Sequence, residues 1–155
     1  MRFNLLTSIN KGKAMEQLFN QSFLTRIGCA IICGFIIGIE RQIRGKPVGI
    51  RTSILICLGT MLFIYLGIQI NEGNDSARIL GQVVTGVGFI CAGTIIRSGV
   101  GIKGLTTAAG LWTVSGIGLA CGLGYFEGAL ISSLIILFVF VALSRIGRKL
   151  GARDI

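Results

Sequence analysis

Apolar residues run in five long blocks, at positions 23–39, 53–70, 79–96, 105–123 and 125–143, with short polar segments between them. Each block approaches the roughly 20 residues a helix needs to cross about 30 Å of hydrocarbon at about 1.5 Å per residue. Soluble core helices seldom repeat that length five times in one chain. The pattern predicts an all-α fold, a polytopic membrane helix bundle of about five transmembrane helices. The membrane domain covers residues 21–144, after an N-terminal tail at 1–20 and before a short basic tail at 145–155.

Composition agrees with the pattern. Of the 155 residues 52% are hydrophobic and 14% charged, against about 25% charged in an ordinary soluble domain. The stretch before the first block is basic, but no small-x-small cleavage site follows and four more blocks come after, so the first block reads as a span rather than a leader. The net charge of +9 raises the question of nucleic acid. The basic residues sit at the ends of the apolar blocks, without a Lys/Arg stripe interleaved with stacking aromatics, and this excludes a nucleic-acid footprint. Acidic lipid headgroups are the counter-charge that fits.

Positive charge also sets sidedness, because short basic loops are held in the cytoplasm. Arg41, Arg44, Lys46 and Arg51 lie between blocks one and two, Arg97 and Lys103 between three and four, and Arg145, Arg148, Lys149 and Arg153 after block five. The alternate loops hold only Arg78, beside Glu72 and Asp75, and then Glu127 with no basic residue. The N-terminus is therefore expected outside and the C-terminus in the cytoplasm. Arg2, Lys11 and Lys13 oppose this assignment; either the short tail crosses regardless, or translation starts at Met15, which removes all three.

Within the first loop, Pro47 and Gly49 supply turn chemistry, and Thr52-Ser53 offers a side-chain oxygen to cap the second helix. Small residues at helical spacing predict close helix packing: Gly34 with Gly38, then Gly81 with Thr85, then Gly116, Ala120 and Gly124. The run 86–93, GVGFICAG, lacks the third glycine and the preceding strand of a dinucleotide loop.

Catalytic chemistry is sparse. The chain has no histidine and six acidic residues, none of them near the middle of a block, where a cation carrier normally keeps one. No nucleophile–base arrangement can be written. The five cysteines all fall in apolar blocks. Cys29 and Cys33 share a helix face but lack a second ligand pair, so they read as small apolar fillers. No catalytic residue, cofactor or metal is expected. Arg26, one turn into the first block, is expected to snorkel to the interface. Gln82 with Thr85 is a polar pair that needs a partner helix, and Glu72, Asp75 and Glu127 form an outer acidic group suited to weak Mg²⁺ binding.

Three segments in order, GFIIGIERQIRGKPVGIRT, NDSARILGQVVTGVGFICAGTIIRSG and IKGLTTAAGLWTVSGIGLACGLG, closely resemble the membrane domain of the MgtC/SapB family over residues 36–143. The matching positions are Glu40, Arg41, Arg44, Gly49, Arg51 and Thr52, then Asp75, Arg78, Gln82, Gly86, Gly88, Phe89, Gly93 and Arg97. Gly104, Leu105, Thr106, Thr107, Ala108, Ala109, Leu111 and Trp112 complete the set. Ser76 stands where the family usually has proline, and Cys91 where it has a small residue. The resemblance implies a bacterial inner-membrane protein linked to growth in low magnesium and to survival of pathogens inside phagocytes. Many members continue into a soluble regulatory domain, whose functions are expected to be absent from a chain that stops at Ile155.

Two readings follow. The first is a non-catalytic regulator in contact with the lipid bilayer and with other integral membrane proteins, copies of itself among them. The second is a transporter or channel subunit for Mg²⁺ or another cation, with Glu72, Asp75 and Glu127 as vestibule. At the cytoplasmic face, Glu40 and Arg41 are expected to pair with Arg97 or Lys103. Reporter fusions at Lys46 and at the C-terminal end should place both in the cell interior; opposite faces, or both outside, would overturn this topology.

Overall fold

Five helices and one short hairpin make up residues 21–70, 76–98 and 101–149, the part of the chain described by a computed structural model. In chain order they are α1 (Gln21–Ile43), α2 (Ile50–Ile70), α3 (Ser76–Ala92), β1 (Ile96–Ser98), β2 (Gly101–Lys103), α4 (Leu105–Leu123) and α5 (Phe126–Lys149). Helices α1, α2, α4 and α5 are long and apolar enough to cross a membrane, while α3, with 17 residues, is shorter and reaches about 25 Å. The fold is the expected all-α membrane bundle. The N-terminal tail 1–20 and its start-site question lie outside the described residues, and α5 carries the helix on to Lys149, into the expected basic tail.

Two helix ends show how the chain reverses. Gly45 takes a left-handed φ of 63°, its amide donates to Gln42 O, and the Lys46 amide donates to Arg41 O, both at 3.0 Å. Such paired bonds close a helix whose last carbonyls would otherwise stay open, and a residue without Cβ favours the geometry. Gly124 repeats the device after α4, with its amide to Cys121 O and the Tyr125 amide to Ala120 O. The α1–α2 turn then departs from expectation. Helix α2 starts at Ile50, ahead of Thr52-Ser53, and its first amide donates to the Gln42 side-chain Oε1 at 3.2 Å. The cap comes from the preceding helix, a partner that local spacing does not reveal.

The third apolar block also divides differently. Helix α3 ends at Ala92, and β1 and β2 pair antiparallel, Ile96 with Lys103 and Arg97 with Ile102. Gly104 joins the hairpin to α4 with φ 92°, and a Cβ there would collide with Thr94 O. Only glycine satisfies both demands.

Contacts at the two ends fix the relative directions of the helices. Val48 of the first turn packs with Val87 and Cys91 near the end of α3, and with Ala108 and Leu111 near the start of α4. Arg44 at the end of α1 hydrogen-bonds Ser144 near the end of α5. At the opposite end, Phe23 stacks on Tyr65 with ring centroids 4.9 Å apart, and Arg26 donates to Gly122 O. The five helices therefore alternate up and down, and Arg44, Lys46, Arg51, Arg97 and Lys103 gather at one end.

Helix α2 is clamped between α1 and α4. A Cβ on Gly34 would lie 2.9 Å from Ile54 Cα, and one on Gly38 would lie 2.6 Å from Ile50 Cα. On the other side, Gly118 sits against Cys57 O and Thr60 Oγ1, and a Cβ on Gly122 would lie 2.7 Å from Met61 O. The expected pair Gly34/Gly38 is thus a packing face. The expected α4 row is not: Gly116 faces open space, and Gly118 and Gly122 do the packing. Glycine allows backbones to approach closely, which matters where hydrocarbon gives no hydrophobic drive for association.

Gly38→Ala should destabilise the bundle by about 1–3 kcal/mol, the usual cost of overpacking, and lower the midpoint of unfolding in detergent. Gly59 has nothing within 4 Å of a built Cβ, so Gly59→Ala should leave the midpoint unchanged or raise it slightly.

Candidate functional site

The last turn of α1 holds a charge cluster inside the bundle. Glu40 is 7% exposed and Arg41 5%. Arg41 Nε donates to Glu40 Oε2 at 2.7 Å and its Nη2 to Oε1 at 3.2 Å. Arg44, one turn on, also pairs with Glu40 Oε1. The Arg41 guanidinium lies over the Phe140 ring of α5, 3.9 Å from its centroid, a cation–π contact that contributes most where water is excluded.

Both carboxylate oxygens accept from guanidinium groups, so Glu40 clamps the two arginines together. The expected partners Arg97 and Lys103 do not take part; both are exposed on the hairpin. The reason is proximity, since Arg41 and Arg44 are the next residue and the next turn of the same helix. Arg41 Nη1 is buried without a hydrogen-bond partner, beside a cavity of about 10 Å³ lined by Ile37, Val48, Ser53, Thr107 and Phe140.

The other expected site residues fall into two groups. Thr107 is buried at the cavity, Thr52 is half-buried, and Gly104 is the hairpin-to-helix joint. Arg51, Arg78, Gln82, Gly93, Arg97, Thr106 and Trp112 are exposed, and Gly88 is half-buried. Asp75 and Glu72 lie outside the described residues. Helix α3 shows this most clearly. Gly81, Gln82, Thr85, Gly86 and Phe89 share one face, and that face is exposed, with Phe89 at 85%. Built Cβ atoms on Gly81, Gly86 and Gly88 meet nothing within 4 Å. Thr85 satisfies its hydroxyl on Gly81 O at 2.9 Å. Between α2 and α3 runs an open groove of about 650 Å³, lined by Phe63, Leu66, Ile70, Ile79, Gln82 and Ile90.

Sequence reasoning missed Phe140, Ser144 and the true neighbour of Arg26. Arg26 is half-buried, donates to Gly122 O at the end of α4, and lies 5.4 Å from the Tyr65 ring centroid. A cation at a helix C-terminus meets the negative end of the dipole and a carbonyl without an intrahelical partner. Nothing in the local sequence signals these meetings, which join residues about a hundred positions apart.

A bundle of apolar helices with ion pairs turned inward defines a multi-pass integral membrane protein. The chain belongs to the MgtC family, whose family model matches residues 27–149. It is 37% identical to protein MgtC of Salmonella typhimurium over 136 residues, which cover 88% of this chain and 58% of that protein. It is 36% identical to protein SapB of Bacillus subtilis over 137 residues, 83% of this chain and 59% of that one. Against protein slr0014 of Synechocystis it is 38% identical over 125 residues, 81% and 53% of the two chains. The chain thus spans a little over half the length of these relatives. No solved structure matches it. Family and apolar helices together place it in the bacterial inner membrane, in contact with lipid.

Removing Arg41 leaves Glu40 buried with Arg44 alone. Arg41→Ala should cost about 3 kcal/mol, the lower range for breaking a buried pair, and Arg41→Lys less, read as detergent unfolding midpoints.

Proposed function

We propose that the chain is a non-catalytic modulator of other membrane proteins, active when magnesium is scarce, and that it docks them through the outer face of α3. The observation that carries this reading is the unpacked face of Gly81, Gln82, Thr85, Gly86 and Phe89. An amide turned to hydrocarbon lacks a partner and costs free energy until one arrives. Glycines beside it let a second backbone come close, and an interhelical hydrogen bond from Gln82 then holds the register. Arg97 of the hairpin and Thr106 and Trp112 near the start of α4 are exposed as well.

The basic end is the cytoplasmic one in this reading, with the C-terminus inside. The link to low magnesium, and to survival of pathogens within phagocytes, comes from the family resemblance. Glu40, the buried carboxylate among the described residues, is closed by two arginines and so gives a cation carrier little to work with.

A photo-crosslinker at position 89, in cells starved of magnesium, should capture a membrane protein, and one at Leu134 on the exposed side of α5 should not. Gln82→Leu should weaken capture about threefold to tenfold, from roughly 0.6–1.5 kcal/mol per interhelical hydrogen bond, with the unfolding midpoint unchanged. Equal capture from both positions, or an unaffected Gln82→Leu, would reject the α3 interface. Saturable Mg²⁺ flux through the purified chain in liposomes would reject the modulator reading.

A further inference from the structure

Deep in the bundle, near the end that holds Arg26, three thiols from two helices converge. Cys29 and Cys33 lie one turn apart on α1, and Cys121 lies near the end of α4. Cys29 Sγ is 3.5 Å from Cys121 Sγ and 4.0 Å from Cys33 Sγ, and all three sulfurs fall within 4.8 Å of one another. Their residues are 9%, 0% and 0% exposed. Cys57 of α2, also fully buried, belongs to the same apolar cluster. No disulfide links these cysteines.

Three sulfurs bound to one metal at about 2.3 Å stand about 4.0 Å apart in a trigonal plane and about 3.8 Å apart on a tetrahedron. The observed separations bracket those values, so the thiols are already spaced as ligands. Sulfur-only donors select soft ions, Cu(I) and Zn(II) foremost. The surroundings choose between them. Three sulfurs lie within mutual reach, while the Ser133 hydroxyl borders Cys33 and the Cys57 thiol borders Cys121 without joining that set; three sulfurs suit a three-coordinate ion better than zinc, which takes four ligands. A monovalent ion also costs less than a divalent one to bring out of water.

Charge balances as well. Binding Cu(I) to two ionised thiols and one neutral thiol releases two protons and leaves the site with one negative charge. Arg26, one turn before Cys29, supplies one positive charge. Its Nη1 is bound to the carbonyl of Gly122, the residue after Cys121, and its Nε is buried with no hydrogen-bond partner. A guanidinium held beside the cluster with a donor to spare is the counter-ion such a site requires.

We infer that Cys29, Cys33 and Cys121 form an intramembrane binding site for a single Cu(I) ion, with Arg26 as the charge partner. The site is independent of the α3 docking face.

The test uses the purified full chain in lipid nanodiscs, reduced and anaerobic, with Cu(I) supplied in competition with bicinchoninate. One Cu(I) per chain should be retained, and X-ray absorption of that sample should show a shell of three sulfurs at about 2.3 Å. Cys121→Ser and Cys33→Ser should each weaken retention by more than about tenfold. Cys91→Ser should not, because Cys91 packs in a separate cluster with Val48 and Leu111. No retained copper overturns the site. So do oxygen or nitrogen neighbours in the absorption spectrum of the wild-type chain, which needs no variant to fold. Retention of Zn(II) without Cu(I), or equal loss in Cys91→Ser, rejects it too.

Discussion

The close approach of α2 to its two neighbours is the constraint on which the rest of the bundle depends. In hydrocarbon an apolar side chain gains nothing by leaving lipid for protein, so helices hold together by dispersion contact and by bonds between polar groups. Gly34 and Gly38 bring α1 against α2, and Gly118 and Gly122 bring α4 against it from the other side. Where those backbones touch, small side chains pack alongside larger ones such as Ile37, Met61 and Val114. Cys29, Cys33, Cys57 and Cys121 are among the small ones, and the same tightness that favours cysteine there draws the sulfurs of α1 and α4 together.

Polar groups obey a second constraint, since each must find its partner within the protein. Charge is accordingly turned inward at both ends of the frame. At one end Glu40 ties Arg41 and Arg44, and Phe140 and Ser144 bring α5 into the clamp. At the other, Arg26 ties the start of α1 to the end of α4 and to the Tyr65 ring of α2. Arg26 and Arg41 each keep one buried nitrogen without a partner. Neither cluster resembles an acid–base pair, and both hold helices that apolar contact alone would leave free to slide.

The helices were legible because a span is a composition signal, read over about 20 residues without regard to neighbours. Their boundaries were less so. Block three looked like one span to Ile96, since hydropathy does not separate the end of a helix from a hairpin that opens on an isoleucine. The start of α2 was misplaced because its cap is the side chain of Gln42, eight residues back. Glycine spacing gave the right face in α1 and the wrong one in α4, where Gly116 and Gly118 both have a small residue four positions on and only the neighbouring helix decides between them. For the site, the matching residues were named but their division was hidden. Glu40, Arg41 and Thr107 go inside, while Gln82, Phe89, Arg97 and Trp112 stay outside, and that split depends on contacts between distant helices. Cys29 and Cys33 looked incomplete for the same reason, their third member lying some ninety residues away.

That division also explains why lipid alone is a poor neighbour for α3. A helix whose outward residues are Leu, Ile and Phe, as on much of α5, needs nothing more than acyl chains. The outward face of α3 instead offers an amide and two glycines lacking any contact at the Cβ position. Glycine in an exposed helix carries a conformational cost without a side chain to recover it by contact, and Gln82 adds the cost of an unmet hydrogen bond. The four longer helices are packed and clamped against one another, so the frame does not need α3 to be built this way. A backbone laid against that face would offset the penalty, and the proposed docking through the shortest helix rests on that difference from the other four.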